Sequence, residues 1–171
     1  LDKLMTAIPK NVFEQGEYWR LWTALFSHAD ISHLLSNSLL FSVFAFFLYG
    51  YFGSLVFPFA AFFIGGIINV IVLKTMPWQA ELLGVSGVVY WMGAVWLTLY
   101  FLLETRERLS KRLLKIIGIA LVLFIPETYH RDTSYLSHFL GFVFGIAFAV
   151  LYYCKKRKVF EKAEVVEMIV D

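Results

Sequence analysis

Cysteine is almost absent from the chain. Cys154 is the only one in 171 residues, so no disulfide forms within it. Cys154 ends an apolar run beside Lys155, which suits a packed residue first and an S-acylated one second. Charge is also scarce. Fifteen Lys and Arg against thirteen Asp and Glu leave a net +2, too little for a nucleic-acid footprint. From Ile31 to Val72 there is no Asp, Glu, Lys or Arg. No signal peptide opens the chain at Leu1. Metal ligands at a usable spacing are missing too. His28 and His33 are five apart, off one helix face, and no Cys or carboxylate cluster joins them, so neither metal nor cofactor is expected.

The chain is instead 60% hydrophobic, with 18 Phe, 9 Tyr and 5 Trp. Soluble domains hold about 45–50% apolar residues. The composition therefore predicts an all-α polytopic membrane protein of one domain, with the lipid bilayer as its first partner. A bilayer-crossing helix needs about 20 apolar residues. The uncharged run holds two such spans, about 31–50 and 54–73, divided at Gly50-Tyr51-Phe52-Gly53. A third span is expected over about 82–103. A fourth is weak: only Ile116–Pro126 is strictly apolar, and it spans only if Leu113 and Leu114 join it and Lys115 snorkels. The fifth is expected over about 133–153. Residues 1–29 mix charge with Phe13, Trp19, Trp22 and Phe26, and Pro9 and Gly16 break them up, which reads as an interfacial segment. Residues 1–154 form the membrane domain. Residues 155–171 form a basic tail read as an amphipathic surface helix.

Orientation follows the basic residues. Arg106, Arg108, Lys111, Arg112 and Lys115 lie in the 104–115 loop, and Lys155-Lys156-Arg157-Lys158 lie past the last span. Both clusters fall on one side, read as the cytoplasm. Residues 1–29 then lie outside, which predicts a further span upstream of Leu1.

In this topology three helices place polar residues in one outer layer. Ser86 follows Glu81 by five residues, about 7 Å along a helix begun at residue 82. His33 and Asn37 share a helix face after Asp30, and His138 follows Asp132 by six residues. Alone, a membrane serine bonds its own helix backbone, and an interfacial histidine is an anchor. Together they fit acyl transfer. Ser86 is the nucleophile, His138 its base, and His33, Asn37 and the Ser86 N–H are oxyanion donors. No carboxylate lies in the layer, so this is a dyad; Asp132 and His130 are rival partners placed in a loop. Gly141 and Gly145 form a small-xxx-small pair on the His138 helix. Tyr90, one turn below Ser86, is positioned to stack on His138. Gly87 permits close packing beside the nucleophile, and Gly84 frees the loop before it. The inner halves of the spans are apolar apart from residues such as Ser42 and Asn69.

These residues resemble the rhomboid family of intramembrane serine proteases over nearly the whole chain. Gly84-Val85-Ser86-Gly87 looks like the nucleophile motif, with Tyr90 four residues on. His33-Leu34-Leu35-Ser36-Asn37 matches the His-xxx-Asn of the second family helix, and His138 with Gly141 and Gly145 matches the sixth. Trp19-Arg20 resembles the Trp-Arg signature of the first external loop, and His28 the additional histidine upstream of His33. The resemblance implies a rhomboid-like helical bundle with a six-helix core, of which the five spans are helices two to six. It implies structural roles for Trp19 and Arg20. It also implies peptide-bond cleavage in single-pass transmembrane substrates, near the outer face of a plasma (inner) membrane. The segment cut has a small residue before the bond and unwinds readily. Substrate access is expected past the fourth span and the Glu127–Asp132 loop. The rival reading within the family is an inactive protein that binds transmembrane clients. A transporter is disfavoured by the apolar inner halves, and a soluble nucleophile-elbow hydrolase by Val88 in place of the second glycine.

Overall fold

The computed structural model describes residues 2–124 and 134–170. The Glu127–Asp132 loop, with His130 and Asp132, lies outside the described residues. The N-terminal segment is broken, as its proline and glycine demand. Short helices α1 (Asp2–Met5), α2 (Pro9–Phe13) and α3 (Arg20–Thr23) lead into a tight turn over Ala24–Phe26. Pro9 opens α2, where its missing N–H costs nothing. Arg20 is buried and pins the segment together. Its guanidinium donates to the Glu17 carboxylate and, at 3.0 Å, to the Thr6 carbonyl. Trp19 is 56% exposed, an aromatic surface left free for the headgroup region.

The long helices follow. Helix α4 (Ile31–Phe52) is opened by Asp30, whose carboxylate accepts the His33 N–H at 2.8 Å, and closed by Gly53 at φ +76°. The next crossing, Leu55–Leu73, starts as a wide turn that breaks at Phe57 beside Pro58 and becomes α5 (Ala61–Leu73). Helices α6 (Ser86–Leu103), α7 (Leu109–Phe124) and α8 (Tyr135–Val170) complete the bundle. Among the described residues, four crossings have the length and apolarity for a bilayer: Ile31–Phe52, Leu55–Leu73, Ser86–Leu103 and Tyr135–Lys162. The chain is a multi-pass, all-helical membrane protein. The weak fourth span is the sixteen-residue α7.

Four expectations change. The third span starts at Ser86 rather than 82. Glu81–Val85 carry only one charge, so hydropathy counts them with the helix, but Gly84 sits at φ +101° and the chain is not helical there. Helix α7 starts at Leu109, which takes Lys111, Arg112 and Lys115 out of the loop. Asn69 is not in an inner half: it lies four residues from the end of α5 that leads to Ser86. Finally, α8 runs through Lys155 and Arg157 without a break, so the change of charge at 154/155 is not a change of structure.

Helix α6 is the centre of the bundle, the most enclosed of the four crossings. Trp91, Met92, Val95 and Leu99 bury against Phe44, Leu48 and Ala149. Lipid tails are as apolar as these side chains, so association here relies on close packing rather than on exclusion of water. Glycine supplies it. A Cβ on Gly141 would run into the Gly87 carbonyl oxygen, and one on Gly145 would lie 2.6 Å from the Trp91 carbonyl oxygen. The pairs 87/141 and 91/145 advance together, so α6 and α8 are parallel. The pairs His33/Gly84 and Phe47/Trp96 show the same for α4 and α6.

The N-terminal segment is keyed to this core. Gly66 leaves room for the Trp22 ring and Gly65 for Leu25. The Trp22 indole N–H donates to the Phe62 carbonyl at 3.1 Å, and Asn69 Nδ2 to the Leu21 carbonyl at 2.7 Å. Ala7 and Leu82 exchange backbone hydrogen bonds at 2.9 and 2.8 Å, and Gly84 N–H donates to the Ala24 carbonyl at 2.9 Å. The strand-like run before Ser86 is thus held from the N-terminal side.

Candidate active site

Ser86 is the first residue of α6, His33 the third of α4 and His138 the fourth of α8. Three parallel helices therefore begin at one depth, and each brings a candidate residue in its first turn. The first N–H groups of a helix have no partner within it, and their dipoles sum to partial positive charge. Three such ends at one place favour an anion. Val85 makes the turn into α6 at φ −89°, ψ 0°. The Ser86 N–H is the first of its helix, so its orphan donor is available by construction.

Tyr90 lies flat against the His138 ring, centroids 3.9 Å apart and planes within 14°. Tyr90 is one turn along α6 from Ser86, so the stack ties the His138 ring to the helix that carries the serine. Gly87 and Gly141 bring the two backbones together beside it, with Ser137 filling the space a Gly87 side chain would need. His138 is 5% exposed, and neither ring nitrogen has a hydrogen-bond partner among the described residues. Ser86 is half-buried at the start of α6, and no hydrogen bond joins it to the His138 ring.

On the facing helix, Asp30 occupies the His33 backbone N–H and leaves the imidazole as the group presented. A Cβ on Gly84 would lie 3.2 Å from His33 Cε1, and at φ +101° any side chain there is strained, so glycine is needed twice over. Asn37, one turn further, is 1% exposed with its Nδ2 unpartnered among the described residues. Buried polar groups are normally satisfied, and unsatisfied ones concentrate where a ligand binds. His28 stands edge-on to His33, centroids 5.3 Å apart. Burial holds the His28 pKa below its ordinary value, and the neighbouring His33 adds to the effect. The Phe26 backbone works in the opposite direction. That influence is small, because neither His28 nitrogen meets hydrogen-bond geometry.

Ser86, His138, Tyr90, His33, Asn37, Gly84, Gly87, Gly141 and His28 thus fall in or against one layer, while Gly145 lies two turns deeper, against Trp91 and Ala94. Trp19 and Arg20 do not; they belong to the segment behind it. No group of three or more potential metal ligands occurs among the described residues. Three contributors escaped the sequence reading. Asp30 was findable, as an acidic N-cap immediately before a helix. The Ala24 carbonyl and Asn69 were not, since both act on segments remote in sequence.

Curated proteins and solved structures gave no match to the chain. The family model described as the Rhomboid domain matches residues 15–155, from just before Trp19-Arg20 to just past the last apolar span. That stretch is well over half of the chain and holds the whole layer of Ser86, His33, Asn37 and His138, so the chain belongs to the rhomboid family, which includes both intramembrane serine proteases and inactive homologues.

Proposed function

We propose that the chain is an intramembrane serine endopeptidase that cleaves single-pass transmembrane substrates through a Ser86–His138 dyad. The observation that carries the reading is the flat stack of Tyr90 on His138, one turn below Ser86 at the head of α6. It holds an imidazole with free nitrogens beside a serine at a helix start.

The reaction runs in two halves. Ser86 Oγ attacks the scissile carbonyl carbon while a ring nitrogen of His138 takes the hydroxyl proton. The carbonyl oxygen becomes an oxyanion, met by the Ser86 N–H, Asn37 Nδ2 and the His33 ring. The C–N bond then breaks and the leaving amine takes the proton from His138. Water attacks the resulting ester with His138 again as base, which releases the carboxylate and restores Ser86. Water reaches the serine because Ser86 is the first helical residue and Glu81–Val85 outside it are not helical. The positive-inside reading puts this end on the extracytoplasmic side of a plasma (inner) membrane.

The test is cleavage of a single-pass reporter in liposomes. Wild type is expected to cut it and Ser86→Ala to leave it intact; equal cleavage by both sinks the dyad. One observation favours a second reading, an inactive client-binding protein: Ser86 makes no hydrogen bond to His138. A fluorophosphonate probe separates the two, since labelling of wild type but not Ser86→Ala requires an activated serine.

A further inference from the structure

Helix α8 carries its charge at a fixed depth. It runs from the apolar Val150 and Leu151 into Lys155-Lys156-Arg157-Lys158 without a break. Lys158 lies about 30 Å along the helix from His138, close to the thickness of the hydrocarbon core. With His138 in the outer layer, the basic run therefore falls among the headgroups of the opposite leaflet. Packing holds it there. The Phe160 ring stands 6.4 Å from the Phe52 ring at the end of α4 and 6.0 Å from Tyr153, and the Tyr152 hydroxyl donates to the Phe52 carbonyl at 3.4 Å.

The basic residues are not equivalent around the helix. At about 100° per residue, Lys155, Lys158 and Lys162 share one face, spaced i, i+3 and i+7. The same face carries Ala147 and Leu151 one and two turns above. Leu151 is 71% exposed, and Ala147 and the three lysines are exposed too. The stripe is thus apolar at hydrocarbon depth and cationic at headgroup depth. No acid answers it. Arg157 takes Glu161, and no Asp or Glu stands three or four positions from Lys155 or Lys162. None of the three lysines makes an ion pair among the described residues. Like charges one turn apart work against a helix, yet α8 passes through them intact.

We propose that this stripe is a binding site for an anionic phospholipid of the inner leaflet. Its acyl chains lie along Ala147 and Leu151, and its headgroup phosphate sits between Lys155 and Lys158, with Lys162 beyond. The proposal stands apart from the protease reading. The chemistry matches at each depth. Lysine stems lie along apolar surface while their ammonium groups reach outward to the phosphate. A basic cluster beside a membrane end is drawn to anionic lipid, and a zwitterionic headgroup, which neutralises its own phosphate, gains less. A second copy would have to bring an acid to this depth, and Glu161 is already held by Arg157.

The test uses the full chain in liposomes with a fluorophore on Cys154, the only cysteine, exposed one residue before Lys155. A nitroxide near the headgroup, carried on phosphatidylglycerol or on phosphatidylcholine, quenches it. Phosphatidylglycerol is expected to quench at an about ten-fold lower mole fraction, less than three fully effective cations would give. The preference is expected to fade as salt is raised. Lys155→Gln with Lys158→Gln and Lys162→Gln removes it, and changing the same three to Arg keeps it, which separates lost charge from lost fold. Removing three exposed charges elsewhere, by Lys10→Gln, Lys74→Gln and Lys111→Gln, leaves it in place. Equal quenching by the two lipids overturns the proposal, and so does a preference that survives the glutamine changes at 155, 158 and 162. Self-quenching that rises with protein density and vanishes in that variant assigns the stripe to a second copy and overturns it too. Loss of the preference on adding inorganic phosphate at constant ionic strength assigns it to a soluble anion, with the same consequence.

Discussion

The stack of Tyr90 on His138 depends on how closely α6 and α8 approach, and at this scale single hydrogens decide the outcome. Gly141 faces the Gly87 carbonyl oxygen, which is backbone and has no rotamer to change. Gly141→Ala therefore forces the helices apart. The expected cost is about 1–3 kcal/mol, the usual range for overpacking, read as a lower unfolding temperature in detergent. Gly118→Ala is the control: an added Cβ there meets nothing within 4 Å, and its unfolding temperature is expected to hold or rise. His28 adds a pH dependence. Its folded pKa is depressed, first by burial and then by His33. An unfolded histidine titrates near about 6.5. Above that value both states are neutral and the folded state keeps its full stability. As pH falls below it, the unfolded chain takes the proton first, so stability is lost progressively towards the folded pKa. Unfolding temperature should fall between pH 7 and pH 5 in wild type, and less steeply in His28→Phe. An equal slope in both would place the titration elsewhere.

Among the elements, the N-terminal segment acts as the support for the nucleophile. Asn69 holds the Leu21 carbonyl, Gly66 seats Trp22, and the Ala24 carbonyl holds the Gly84 N–H two residues before Ser86. Asn69→Ala leaves a buried carbonyl without its donor, at a cost of about 1–3 kcal/mol. The expected readout is faster proteolysis of residues 1–29 and weaker probe labelling of Ser86; unchanged labelling would uncouple the segment from the site. Much of the bundle was legible in sequence because hydrocarbon imposes a length and a charge rule. The uncharged run from Ile31 marked two crossings, and Gly53 marked the turn between them. Four chemistry-bearing residues on three spans could be set at one depth by counting from the loops. The errors have different causes. Hydropathy weighs side chains and not backbone, so Glu81–Val85 counted as helix although Gly84 turns left-handed there. Asn69 was set in an inner half by a miscount, since it lies four residues from the end of α5 that leads to Ser86; its partner Leu21, 48 positions away, was not legible at all. Gly65 and Gly66 make the room that Leu25 and Trp22 fill, a contact between segments remote in sequence that no local pattern announces.

On the scale of the whole molecule, the parallel start of α4, α6 and α8 means that the sidedness of one end fixes the sidedness of the chemistry. Arg106, Arg108, Lys111, Arg112 and Lys115 gather at or just beyond the far end of α6, and Lys155, Lys156, Arg157 and Lys158 at the far end of the last span. Part of this charge also has local work. Arg112 donates to the Phe101 carbonyl at 2.8 Å, which caps the end of α6, and Lys115 pairs with Glu107 at 2.5 Å, which ties the start of α7 to the preceding loop. The charges at 155–158 are exposed, and of these Arg157 pairs with Glu161 along its own helix. Orientation is therefore driven by groups that stay in water. Cys154 reports it directly, since it is the only cysteine and is exposed. In intact cells a membrane-impermeant maleimide should leave Cys154 unmodified, and in inverted vesicles it should label it. With Cys154→Ser and Glu81→Cys the pattern should reverse, because Glu81 is exposed at the Ser86 end. Labelling of Cys154 from outside would turn the molecule over and move the proposed cleavage to the cytoplasmic face, with the dyad itself unaffected.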